Sequence, residues 1–254
     1  MNREHSKLDG ASTSNHDDIF VTTRWTMVLA AADRSTPQAG QALEEICQLY
    51  WYPLYAYIRR HDHSPENAED LTQEFFRQLV EHHWIGDADR NKGKLRAFLM
   101  TALKNFMAKE WRKASAKKRG GGQLPLSIDT GIAEGRYAST TKSPSIEAEA
   151  LFDHEWALTL LELTMQCLRS EYGDAGKQER FAVLKDGLFA PHQDIDYSAL
   201  AESLDLTVAA TQVAVHRMRK RFRELYREEV AKTLPPDANL DEEIRYLAES
   251  LAKE

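Results

Sequence analysis

The chain has 254 residues, 42% of them hydrophobic and 29% charged, with a formal charge of −7. That length admits one large domain or two small ones, two small ones being the expected arrangement, and the apolar content is enough for real cores. The negative balance excludes a surface evenly coated in positive charge, so any nucleic-acid contact has to be confined to patches. No stretch approaches the roughly 18 uninterrupted apolar residues of a membrane span. The opening MNREHSKLDGASTSNHDD lacks the apolar centre of a secretion signal, so a cytoplasmic location is expected. Cys47 and Cys167 each lie inside an apolar helical pattern, as reduced core thiols do, rather than in the spacing of a disulfide or metal site. No cofactor is expected.

Residues 1–19 are polar, without periodicity, and read as a disordered tail. From Thr22 the pattern becomes helical through Trp25, Val28, Leu29 and Ala32. Ser35-Thr36-Pro37 interrupts it before a second helix that holds Ala42, Leu43, Ile46, Leu49 and Tyr50, with Pro53 expected to kink or restart the run. The cluster Tyr50-Trp51-Tyr52 with Tyr55 and Tyr57 has the chemistry to stack bases, but aromatics this dense on a helix are assigned to packing. Next, Ser64-Pro65 starts a helix, a hydroxyl cap followed by proline at the first helical position. Ala68, Leu71, Phe75 and Leu79 form its inner stripe, while Asp70, Gln73, Glu74 and Arg77 share an outer polar face suited to a partner. His61, Asp62 and His63 offer a weaker metal-binding reading, since a metal needs three or four side chains converging from fixed directions.

Asn91-Lys92-Gly93 makes a turn into the stretch around which the chain is organised, Lys94 to Arg119. At about 100° per residue, Leu95, Phe98, Leu99, Ala102, Leu103, Phe106 and Met107 fall on one arc and predict an amphipathic helix. The opposite arc carries Thr101, Lys104, Asn105, Ala108 and Arg112, with Lys109 and Lys113 adding charge. Between Lys104 and Arg119 seven cations face one carboxylate, Glu110. Concentrating positive charge in an acidic chain suits a polyanion. Gly, Ser, Thr and Pro over 120–143 predict a flexible linker, and Ser143-Pro144 a new helix carrying Leu151, Trp156, Leu160, Leu161, Leu163 and Leu168. Phe181, Leu184 and Leu188 mark another. From Asp196, a short helix with Tyr197, Leu200, Ala201 and Leu204, a turn at Asp205-Leu206 and a longer helix capped by Thr207 follow helix-turn-helix grammar. The longer helix buries Thr211, Val215, Met218, Phe222 and Leu225. It presents Val208, Gln212, His216, Arg217, Arg219 and Lys220, where major-groove readers place side chains. Pro235-Pro236 stops it before a last acidic helix with Ile244, Leu247 and Leu251.

From about Leu43 to Glu229 these residues resemble a bacterial RNA polymerase sigma factor of the compact extracytoplasmic-function (ECF) type. Asp70-Leu71-Thr72-Gln73-Glu74-Phe75-Phe76 is similar to the family's D-L-x-Q-E-x-F, and the resemblance implies that Asp70, Gln73, Glu74, Phe75 and Arg77 bind the clamp helices of the polymerase largest subunit. Leu95-Arg96-Ala97-Phe98-Leu99 with Lys104-Asn105 is similar to the F-R-A-W-L and R-N elements that recognise and melt the minus-ten promoter element. It implies DNA contact by Arg96, Thr101, Lys104, Asn105, Lys109, Arg112 and Lys113. Leu204-Asp205-Leu206-Thr207, Thr211-Gln212, His216-Arg217-Met218-Arg219 and Phe222-Arg223 resemble the minus-thirty-five reader, which implies DNA contact by Thr207, Gln212, His216, Arg217, Arg219 and Lys220. Asp205 stands for the usual turn glycine and Gln212 for a common lysine.

The expected architecture is therefore all-α: two small helical domains joined by a flexible linker, the second with a helix-turn-helix. It comprises a tail (1–19), a region-two-like domain (20–119), a linker (120–143), a region-four-like domain (144–234) and a C-terminal acidic helix (235–254). The implied function is non-enzymatic, directing RNA polymerase core to promoters and assisting DNA opening. The implied partners are the clamp helices, the flap of the second-largest subunit and promoter DNA, with room for an anti-sigma factor. Two alternatives stay open: a stand-alone helix-turn-helix regulator, and a metal-dependent phosphohydrolase built on His61 and Asp62.

Overall fold

The computed structural model describes residues 38–82, 84, 93–114, 130–140, 147–235 and 237–252. The expected tail, the helix around Trp25, the turn residues Asn91 and Lys92, the basic exit Lys117 to Arg119 and the start at Ser143-Pro144 lie outside them. Among the described residues the chain is all-helical, with no strand. The helices are α1 (Gln38–Arg59), α2 (Pro65–Glu81), α3 (Leu95–Ala114), α4 (Thr130–Thr140), α5 (Ala148–Asp174), α6 (Gln178–Leu184), α7 (Tyr197–Ser203), α8 (Val208–Ala231) and α9 (Leu240–Ala252), with short 3-10 turns at Lys185–Gly187 and His192–Asp194. No helix of the described residues is long and apolar enough to cross a membrane.

The aromatic cluster of α1 is core. Tyr50, Trp51, Leu54, Tyr55 and Ile58 are at most 1% exposed, and Trp51 stacks on Tyr55 with ring centroids 4.9 Å apart. Pro53 lies inside α1 and is itself buried, so it does not restart the helix. A proline there forfeits one backbone hydrogen bond, a cost of about 3 kcal/mol, and the burial of aromatic rings on both sides of it offsets that loss. The helix ends where Asp62 takes a positive φ of 59°, a conformation Asp tolerates better than most residues.

One core gathers α1, α2 and α3 through Phe75, Phe76, Leu79, Leu95, Leu99, Leu103 and Phe106. The same core takes Phe152, Trp156 and Leu160 from the first half of α5, Val230 from the end of α8 and Leu247 from α9. A second cluster joins Leu168 of α5 to Phe181, Leu184, Leu188, Val215, Met218, Phe222 and Leu225. The long helix α5 thus serves both clusters, and packing does not divide at residues 120–143. Two pieces of chemistry account for this. Tyr50 stacks on Trp156 at 4.3 Å and 12°, pinning α5 to α1. Half of the expected linker, moreover, is helix α4, which is fastened rather than loose. Glu134 accepts hydrogen bonds from the Tyr55 hydroxyl and, at 2.7 Å, from Arg59 Nε, while Arg136 pairs with Glu155 at 2.9 Å and lies 4.2 Å from the centre of the Tyr52 ring.

Both cysteines are free thiols. Burial, helped by the charge of Glu44, pushes the Cys47 thiol up to about 12. At a labelling pH of about 8 its thiolate is scarcely populated, so iodoacetamide is expected to modify half-exposed Cys167 first and Cys47 only once urea opens the core. Equal rates by mass spectrometry in the native state would contradict this placement.

Candidate nucleic-acid interface

The polar face of α2 is positioned by its N-terminus. Ser64 Oγ accepts from Asn67 N–H at 3.3 Å and Pro65 fills the first helical position, so the register starts where the sequence places it. Ala68, Thr72, Phe75, Phe76 and Leu79 are then turned inward. The Thr72 hydroxyl is spared an orphaned burial by donating to the Ala68 carbonyl at 2.7 Å. Asp70 is exposed, and Gln73, Glu74 and Arg77 are half-buried on the outer face. Glu74 is held in place by Arg77 Nε at 2.7 Å and Gln78 Nε2 at 2.6 Å, and Gln73 donates to Glu69 at 3.1 Å. The result is a pre-ordered row of carboxylate, amide and guanidinium groups.

Phe75 does not belong to that row. It is 0% exposed and meets Phe76 and Phe106 edge-on at 5.6 and 5.7 Å. Its assignment to polymerase contact is corrected: the ring joins α2 to α3, because an inward helical position cannot also reach a partner.

Helix α3 follows Gly93, whose φ of 139° is open only to glycine without strain. With Leu95, Leu99, Leu103 and Phe106 buried, the helix turns Thr101, Lys104, Asn105, Lys109 and Arg112 outward, all exposed. Thr101 Oγ1 donates to the Ala97 carbonyl at 2.9 Å and Arg112 Nε to that of Ala108 at 3.0 Å, which orders both side chains along the helix surface. Lys113 lies in the helix, but its side chain is outside the described residues. Trp111, 76% exposed, adds a large ring beside the cations that the sequence reading passed over. Its signal was available, since an indole on a basic helix face outside the apolar arc has no core to enter.

Arg96 is the second correction. Its side chain is 13% exposed and points away from the exposed row, toward α5 and α9. There it pairs with Asp153, reaches Glu243 at 3.2 Å and stacks 4.8 Å from the centre of the Tyr246 ring. Burial opposes its charge, but the two carboxylates outweigh burial and hold the guanidinium above its ordinary range. Lys104 is exposed but engaged: it meets Glu149 at 2.7 Å, and this hydrogen bond raises the ammonium and lowers the carboxyl.

A second polar face lies at the start of α8. Asp196 Oδ1 accepts from the backbone N–H groups of Ser198 and Ala199 at 3.1 and 3.0 Å and starts α7. Asp205, with φ of 51°, makes the turn, and Thr207 Oγ1 accepts from Ala210 N–H at 3.2 Å to start α8. Burial of Thr211, Ala214, Val215 and Met218 leaves Gln212, Val213, His216, Arg217 and Lys220 outside, with Val208 at the helix start. Arg219 is turned the other way. Its Nε and Nη2 donate to the Gly187 carbonyl at 2.9 and 2.6 Å, and Nη2 also donates to that of Ala190 at 2.5 Å, so its assignment to DNA contact is corrected to a tether for the 3-10 turn before α7. Arg221 is bound on the rear face by Glu171, Glu224 and Glu228.

Among the described residues, no group of three or more His, Cys, Asp or Glu side chains could hold a metal ion. Around the candidate site of the hydrolase reading, His61 Nδ1 lies 3.0 Å from the Tyr57 carbonyl and its ring packs against that of Tyr57. Residues 50–117, about a quarter of the chain, match the family model Sigma-70 region 2. The match runs from the aromatic half of α1 through α2 and α3, and it supports a sigma factor role in promoter recognition by RNA polymerase. No curated protein and no solved structure matches the chain.

Proposed function

We propose that this chain is a sigma factor of the extracytoplasmic-function type, a non-enzymatic specificity subunit that brings core RNA polymerase to promoters and helps to open them. One observation carries the reading. The region 2 match covers two helices that share a core and turn opposite kinds of surface outward, acidic-amide on α2 and cationic on α3. Asp70, Gln73, Glu74 and Arg77 dock on the clamp helices of the largest subunit. Thr101, Lys104, Asn105, Lys109 and Arg112 hold one strand of the minus-ten element by backbone charge, and the Asn105 amide reads an unstacked base.

In the same proposal, α7, its turn and α8 form the helix-turn-helix of a region-four-like unit. Gln212, His216, Arg217 and Lys220 face the minus-thirty-five major groove, and the unit meets the flap of the second-largest subunit. Capping at Asp196 and Thr207, the left-handed turn at Asp205 and the burial of Val215 and Met218 support this assignment. Two linked readers would select promoters by spacing as well as sequence.

The test is transcription in vitro with core polymerase on a promoter library. Promoter-specific transcripts dependent on the chain are expected. DNA binding without any transcript would instead identify a stand-alone regulator. Reversing Asp70 and Glu74 (Asp70→Arg, Glu74→Arg) is expected to weaken co-purification with core by at least about tenfold, the equivalent of 1.4 kcal/mol, because like charges then face the docking surface. Unchanged co-purification would remove the docking assignment.

A further inference from the structure

The basic helix α3 is flanked on one side by carboxylates of this same chain. Lys94 and Arg96 meet Glu243 of α9, Arg96 also meets Asp153 of α5, and Lys104 meets Glu149 one turn earlier on α5. Tyr246 closes the group, its hydroxyl donating to Asp153 while its ring faces Arg96. Two cations of α3 and Lys94 just before it thus meet three carboxylates from elsewhere. Glu243 is 2% exposed and sits in the first turn of α9, started by Asn239 Oδ1, which accepts from Asp241 N–H at 3.0 Å and Glu242 N–H at 3.3 Å. The positive end of the α9 dipole favours a carboxylate there. Breaking such a pair in place would strand Glu243 as a buried charge, so a competing polyanion releases the cations as α9 itself moves out into solvent.

We propose that α9 and the first turns of α5 form an intramolecular clasp that occupies one flank of α3 with carboxylates in the place of nucleic-acid phosphates, holding the free chain in a state of low DNA affinity. The proposal rests on the reading of α3 as a DNA-contacting helix. DNA and the clasp compete for Lys94, Arg96 and Lys104. The tail helix is thereby a self-inhibitor, anchored by Leu247 in the core and set by charge. Arg96, turned inward in the closed chain, becomes a strand contact only after release.

The experiment uses the full chain without polymerase and a fluorescein-labelled single-stranded 24-mer of mixed sequence, read by anisotropy. The double variant Asp153→Asn, Glu243→Gln is expected to bind about tenfold tighter, a typical coupling between two sites. Its log–log salt slope should steepen by about 1.4, the release of two cations at about 0.7 each. Adding Arg96→Gln to the double variant should cancel about half of that steepening, because one of the two released cations is then missing. Binding that is sensitive to Lys109→Ala and Arg112→Ala but gains nothing from the double variant overturns the clasp and spares the reading of α3. Binding insensitive to all of these overturns both. Hydrogen exchange on the unsubstituted chain removes any dependence on folding of the variants: adding the oligonucleotide should speed exchange across Leu240–Ala252, and unchanged or slowed exchange there overturns the proposal. Promoter-directed transcription is a separate readout, so its failure is distinguishable from failure of the clasp.

Discussion

Trp156→Ala is expected to lower the unfolding free energy by about 3–5 kcal/mol, the range for deleting a large aromatic from a packed interior. The side chain is 0% exposed, lies on Tyr50 with an interplanar angle of 12°, and comes from the helix that serves both apolar clusters. Its removal leaves a cavity where α1 and α5 meet, a site with little room to collapse because Tyr50, Trp51 and Leu54 are themselves fixed on all sides. Trp156→Phe keeps a ring on Tyr50 and should cost markedly less. Urea denaturation followed by far-ultraviolet circular dichroism measures both. The parent chain is expected to unfold with one dominant transition across the shared core, and the alanine variant with a second, earlier transition as the cluster around Leu168 and Phe222 uncouples. A change below about 1 kcal/mol for Trp156→Ala would mean that α5 is not seated on α1 as described.

The second large effect separates two arginines that stand two positions apart on α8. Arg217→Ala with Lys220→Ala is expected to reduce duplex promoter affinity and to flatten its log–log salt dependence by about 1.8, two phosphate contacts at about 0.9 each. Thermal stability should scarcely move, because Arg217 is exposed and Lys220 has only a long, 3.8 Å pairing with Glu224 at the surface. Arg219→Met should do the reverse. It leaves the salt slope unchanged and lowers the melting temperature, because the carbonyls of Gly187 and Ala190 lose their charged donor. If Arg219→Met flattened the slope as much as Arg217→Ala, the tether assignment would fail and the sequence expectation for Arg219 would be restored.

The difference between these two arginines marks a general boundary. Periodicity told apolar from polar faces with good fidelity along α2, α3, α5 and α8. Leu95, Leu99, Leu103 and Phe106 are buried as their spacing requires, and so are Val215, Met218, Phe222 and Leu225. Helix starts were equally legible at Ser64, Asp196 and Thr207, because a cap is a local bond between a side chain and a backbone N–H two or three residues on. Phe75 shows where motif reading overreached, since a residue can sit inside a recognition pattern and serve the core. Arg96 and Arg219 show the same limit for charge. Each lies at the margin of its helix's buried side, and which carboxylate or carbonyl it meets depends on chain 29 to 147 residues away.

By itself, then, the order of residues determined where the strongly periodic helices lie, where those at Ser64, Asp196 and Thr207 begin, which faces are greasy and where positive charge is concentrated, because all of these depend on neighbours within a turn or two; it missed α4, whose Gly- and Ser-bearing sequence has no apolar stripe of its own. Tertiary packing alone decided that α4 is pinned by Tyr55 and Arg59, that α5 is common to two cores, and that Glu243 and Asp153 claim Arg96. These are pairings between charges and rings far apart along the chain. Their energies depend on distance and desolvation in three dimensions, and no local spacing encodes that.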